Sequence, residues 1–142
     1  MRVLGRREKM IEESAKIIDP PEGFPPSISV LNFEYQIIYY DKDFRTPDDN
    51  CPLDGQCDHS AQQIRIAVCN YAPRRIWHCI WHEVVHAIMK KLDISRYLDS
   101  SVEEHFVDLI SLGIIDVIWE NKLHGETLAK KSRFAGKKDA SE

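Results

Sequence analysis

The apolar positions of the chain fall into two rhythms. Residues 28–40 are rich in β-branched and aromatic side chains, and Tyr35-Gln36-Ile37-Ile38-Tyr39-Tyr40 is the best strand candidate. Residues 64–68 alternate, so Ile64, Ile66 and Val68 share one side of a second strand. The two strands are expected in one small antiparallel sheet. From residue 74 the period becomes helical. Ile76, Ile80, Val84 and Met89 make a stripe that Trp77, Trp81, Val85 and Ile88 widen. A helix over 74–92 that is apolar on most sides is expected at the centre of its domain. Asn70 or a nearby residue can cap it, and Pro73 suits its first turn.

A second long helix is predicted over 100–121. Ser100-x-x-Glu103 and Ser101-x-x-Glu104 both fit a capping box at its start. Its apolar residues, among them Phe106, Val107, Leu109, Ile110, Ile114, Ile115 and Val117, should pack it against the first long helix. A shorter helical pattern spans 6–18 and ends where Pro20 restricts its predecessor. Residues 20–26 then form a proline-rich connector, and 41–55 form a polar, turn-rich loop. The expected fold is α+β, a short antiparallel sheet on two long helices. The expected organisation is an N-terminal arm (1–26), a domain (27–123) and a basic tail (124–142).

Composition narrows the functional classes. A chain of 142 residues, 43% apolar and 30% charged, suits one globular domain. Its net charge of -4 argues against the basic surface of a nucleic-acid binder. Only the tail is basic, with Lys130, Lys131, Arg133, Lys137 and Lys138. No apolar run reaches the length of a membrane span, and residues 1–10 are charged and lack the apolar stretch of a signal peptide. The expected setting is the cytoplasm, with Cys51, Cys57, Cys69 and Cys79 as thiols. Cys51 and Cys57 flank a short turn, which leaves a bridge or a second metal site open.

The chemistry is concentrated in His82-Glu83-Val84-Val85-His86. Histidines four apart on a helix lie one above the other, so both imidazoles can grip one ion, usually Zn2+. A hydrolytic zinc site takes three protein ligands and leaves a position for water. Glu104, near the start of the next helix, is the expected third ligand, with Glu103 and His105 as rivals and a simple capping role as the bland alternative. Asp108, four residues on, can hold the outer nitrogen of a ligand histidine. Zinc lowers the pKa of water to about 7 and polarises a carbonyl. Glu83 is then the catalytic base that takes the water proton and delivers it to the leaving amine. His78 is expected to be a surface or substrate-facing residue, Cys79 to pack in the core, and His59 and His124 to lie at the surface.

His82-Glu83-Val84-Val85-His86 followed by Glu104-x-x-x-Asp108 resembles the gluzincin branch of zinc metallopeptidases. The wider run from Asp54-Gly55 through Ile64-Arg65-Ile66 to Ala87-Ile88, with residues 104–113, is similar to small phage and prophage zincin-like proteins related to the ImmA/IrrE family. Members of that family more often carry Gly where this chain has Val85. The resemblance covers residues 28–121. It implies a zincin-like fold and a zinc-dependent peptidase acting on a protein or peptide. The alternative expectation is a binding or regulatory module without turnover.

Overall fold

The computed structural model describes residues 14–45 and 53–124. Cys51, the basic tail and most of the predicted N-terminal helix therefore lie outside the described residues. The end of that predicted helix is extended instead. Ile17–Ile18 form strand β1, paired antiparallel with Tyr39 and Tyr40. Two β-branched residues on a sheet edge gain cross-strand pairing that an isolated short helix lacks.

The remaining strands are β2 (Ser27–Val30), β3 (Phe33–Tyr40), β4 (Gly55–Asp58) and β5 (Gln63–Ala67). The helices are α1 (Pro73–Lys91) and α2 (Ser100–Glu120), with a 3-10 turn at Ser95–Tyr97 between them. The apolar run at 28–40 is thus two strands. Leu31 and Asn32 hold φ of 49° and 67°, and this left-handed pair folds β2 back onto β3 as a two-residue hairpin. The sheet order is β1-β3-β5-β4, with β2 also on β3.

The sheet is mixed rather than purely antiparallel. β3 and β5 run parallel, with Ile37 opposite Ile64 and Tyr39 opposite Ile66. Local alternation sets which side each residue faces, but it carries no information on the direction of a partner distant in the chain. β4, which the polar composition of 41–55 gave no reason to expect, forms the edge beside β5.

Tyr35, Ile37, Tyr39, Ile64 and Ile66 point to one face and bury themselves against Ile76, Ile80, Val84 and Ala87 of α1. Phe24 stacks on Trp77, and the Tyr39 hydroxyl donates to the Pro25 carbonyl at 2.7 Å, so the connector packs on this core. A second, smaller cluster joins α1 to α2 through Val85, Met89 and Val107. α1 is the middle layer, as its nearly all-round apolar surface predicts.

The helix ends aim the chemistry. Ala72 stands at the N-cap of α1 without a side-chain hydrogen bond, and Pro73 occupies the first position, so Asn70 is not the cap. At the other end Asp93 takes φ of 59°. The amides of Asp93 and Ile94 return to Lys90 and Met89 at 3.1 and 2.9 Å. This paired closure reverses the chain within a few residues. α2 is capped by Asp99, whose carboxylate accepts from the Ser101 amide, rather than by Ser100 or Ser101. The glutamates of the expected capping boxes are thereby left for the histidines. Among the described residues, no helix is long and apolar enough to cross a membrane.

Candidate metal centre

His82 and His86 stand one turn apart on α1, with ring centroids 4.9 Å apart. Their Nε2 atoms converge on a single carboxylate. His82 Nε2 lies 2.9 Å from Glu104 Oε1, and His86 Nε2 lies 3.1 Å from Glu104 Oε2. Their outer nitrogens meet two further carboxylates. His82 Nδ1 is 2.9 Å from Asp108 Oδ1, and His86 Nδ1 is 3.2 Å from Glu103 Oε1. Glu103 is fixed in turn by the Ser95 hydroxyl, which donates to the same oxygen at 3.0 Å.

This geometry has a chemical consequence. An ionised carboxylate only accepts hydrogen bonds, and a neutral imidazole has one N–H. Asp108 and Glu103 use the Nδ1 hydrogens, which leaves two bare Nε2 atoms facing the oxygens of Glu104. Lone pairs cannot face lone pairs at about 3 Å without positive charge between them. Either each ring carries a second proton, or one cation sits among the three groups. His82, His86 and Glu104 each offer an atom within 4.8 Å of the others, and they are the group that could hold a metal ion among the described residues. Two imidazoles and a carboxylate form a donor set of the catalytic zinc type.

Asp108 therefore stands where the sequence suggested, against the outer nitrogen of His82. Glu103, expected as a capping-box acid or a rival ligand, does the equivalent for His86. A helical projection of α2 places Glu103 on its inward arc with Val107, and that was the available signal. His105 is exposed and takes no part in the cluster. Such outer partners typically contribute 10–100-fold to metal affinity. Glu103→Gln and Asp108→Asn should each weaken zinc binding by about that factor. Competition against a chromophoric chelator measures it, and unchanged affinity would detach these carboxylates from the site.

Glu83 leaves the helix on another side. It is only 6% exposed, packed beneath β4, and its carboxylate accepts from the Cys57 amide. Burial pushes its pKa up to about 8, reinforced by the nearby charges of Glu104 and Asp54 and opposed by the Cys57 N–H. Gly55 makes this position possible. A Cβ there would fall 2.8 Å from Glu83 Oε1. The clash is with the mobile end of a side chain, so Gly55→Ala should leave stability nearly intact and displace the carboxylate. The expected loss is about tenfold in any reaction that needs Glu83 in place. Equal rates in the two proteins would show that its position is not critical.

His82, Glu83, His86, Glu104 and Asp108 border one open cleft of about 610 Å³, walled on one side by residues 53–57 of β4 and its approach. Its size is that of a small-ligand or peptide site. Three further residues line it. His78 extends the row on α1, with its Nε2 3.2 Å from the buried Ser111 hydroxyl. Ser111 donates to the Asp108 carbonyl, so His78 donates to Ser111. His59 is half-buried rather than a surface residue, with Nδ1 3.5 Å from Cys57 Sγ, and burial lowers its pKa. Cys79 is buried in the core, as expected, and also borders the cleft. Cys57 is a free thiol, and its expected partner Cys51 lies outside the described residues. His124 stacks on Trp119, away from the cluster.

Comparison with models of known protein families, with curated proteins and with solved structures gives no match.

Proposed function

We propose that the protein is a zinc-dependent peptidase of gluzincin type, akin to the small phage and prophage zincin-like proteins of the ImmA/IrrE group. One observation carries the reading. The inner nitrogens of His82 and His86 converge on Glu104 while their outer nitrogens are held by Asp108 and Glu103. His82, His86 and Glu104 would hold the ion. When bound, zinc supplies a Lewis acid that polarises a carbonyl and acidifies water.

The chain's own residues do the rest. The edge of β4 away from β5, unpaired among the described residues, forms one wall of the cleft and can take an extended peptide as an added strand. Its outward backbone groups other than the Cys57 N–H, which Glu83 engages, fix the peptide's register, and the cleft sets the scissile carbonyl opposite Glu83. Glu83 accepts a proton from the attacking water. As the C–N bond breaks, it passes that proton to the departing amine. Burial under β4 keeps the Glu83 carboxyl away from bulk water, and the Cys57 N–H that donates to it holds it in place. His78, steadied by Ser111, forms a polar wall of the same cleft. The cytoplasm is the setting in which Cys57, Cys69 and Cys79 stay as the free thiols they are here.

The test is incubation of the zinc-loaded protein with a diverse peptide library, read by mass spectrometry. Defined cleavage that stops on chelation and returns with zinc is expected. Tight zinc binding with no cleavage of any member would instead make the protein a binding module on a zincin-like fold.

A further inference from the structure

α2 buries only one narrow side. Val107, Ser111 and Ile115 face α1, whereas much of the opposite side is apolar and exposed. Val102, Phe106, Leu109 and Val117 are each at least half exposed, and Ile110 is 37% exposed. With Gly113 these residues form one stripe, at spacings of three and four along nearly the whole helix. A contiguous stripe of this kind is of the size at which a monomer's apolar surface often serves as an interaction face.

The order of side chains along the stripe says what covers it. About a point midway between Leu109 and Ile110 the stripe is complementary to itself. Val102 and Val117 stand at equal distances on either side, and Leu109 and Ile110 flank the midpoint. Phe106, the largest residue, stands opposite Gly113, the smallest. Nothing lies within 4 Å of where a Cβ on Gly113 would be, so its side of the helix is an open notch. Two antiparallel copies of this helix related by a two-fold axis would therefore set each Phe106 into the notch at the other copy's Gly113. Both valines would meet valines, and leucine would meet isoleucine. An isologous interface requires this self-complementarity, and knobs entering holes is how helices pack. No charged side chain interrupts the stripe from Val102 to Val117; one turn beyond its ends the same register brings Asp99 towards the other copy's Glu120, a like-charge pair that weakens the pairing.

We infer that the outer face of α2 is a homodimer surface, occupied by α2 of a second copy in antiparallel orientation. The area sets its strength. The stripe is roughly 24 Å long and about 10–12 Å wide, on the order of 300 Å² per protomer. Stable interfaces bury at least about 1,000 Å² in total. The dimer is therefore weak and concentration-dependent, with a dissociation constant in the micromolar range or above. The metal cluster sits on the side of α2 that meets α1, so pairing leaves the cleft open.

Sedimentation equilibrium of the full chain over a wide concentration range tests this. The wild type should shift from monomer to dimer as concentration rises. Phe106→Glu places a charge in the notch, and Gly113→Phe fills it. Each should raise the dissociation constant at least tenfold while far-UV circular dichroism stays unchanged. Phe106→Gly combined with Gly113→Phe exchanges knob and hole and should bring dimerisation back towards the wild-type level. A wild type that stays monomeric throughout would overturn the inference and leave the face to another segment of the chain or to a different protein. Dimers indifferent to either single substitution would overturn it by locating the interface elsewhere. An exchange variant as weak as the single ones would overturn the antiparallel register.

Discussion

Glu83→Gln should lower peptide hydrolysis by about 10²–10⁴-fold and leave zinc binding intact. The amide keeps the shape of the side chain beneath β4, where Gly55 admits it, and can still accept from the Cys57 amide. It cannot take a proton from water. None of the groups surrounding the ion site, His82, His86, Glu103, Glu104 and Asp108, is altered, so affinity for the metal should be close to wild type. Steady-state rates on a cleaved library peptide, together with zinc content after gel filtration, measure both quantities. A variant that keeps full activity would remove Glu83 from the chemistry. A variant that loses zinc along with activity would make Glu83 part of the ion site instead of the base.

The same substitution should have the opposite effect on the stability of the metal-free protein. Folded, Glu83 keeps its proton up to about pH 8. Unfolded, it loses the proton near the ordinary value of about 4.3. Between these limits the native state binds more protons than the unfolded state, so stability falls as pH rises. The slope for one such group is about 1.4 kcal/mol per pH unit. Glutamine does not ionise and escapes this penalty. Metal-free Glu83→Gln should match the wild type near pH 4 and exceed it by a few kcal/mol above pH 8. Urea unfolding of both proteins across that range, with chelator present, reads the difference directly. Curves that stay parallel at every pH would mean that the buried carboxyl carries no such cost. A cation among His82, His86 and Glu104 acts in the contrary sense and favours the ionised form that a base requires.

What could be read from the chain divides along physical lines. The helices were legible because their signals are local. The stripe from Ile76 to Met89 and the four-residue spacing of His82 and His86 depend only on helical period. Glu104 and Asp108 were legible because they lie on the same side of one helix whose start was evident. The cap was misassigned to Ser100 or Ser101 because Asp99 precedes two serines that satisfy the same pattern. The direction of β5 relative to β3 was not legible, since it depends on a chain path more than twenty residues long. β4 escaped notice because Gly55-Gln56-Cys57-Asp58 has no apolar alternation. Its strand character comes from pairing with β5. Gly55 had a recognisable signal only once Glu83 was seen beneath it. His59 and the Ser95–Glu103–His86 relay needed residues from separate elements to be brought together, which no local pattern encodes.

The centre of the account is that His82, His86 and Glu104 share one metal ion. The most direct measurement is a crystal structure of the zinc-loaded protein, with data collected on both sides of the zinc absorption edge. One strong anomalous peak should lie about 2.0–2.2 Å from both Nε2 atoms and a Glu104 oxygen, with Asp108 and Glu103 still on the outer nitrogens. The contrary result is a fully zinc-equilibrated protein with no peak between the two imidazoles, or with zinc held by other side chains.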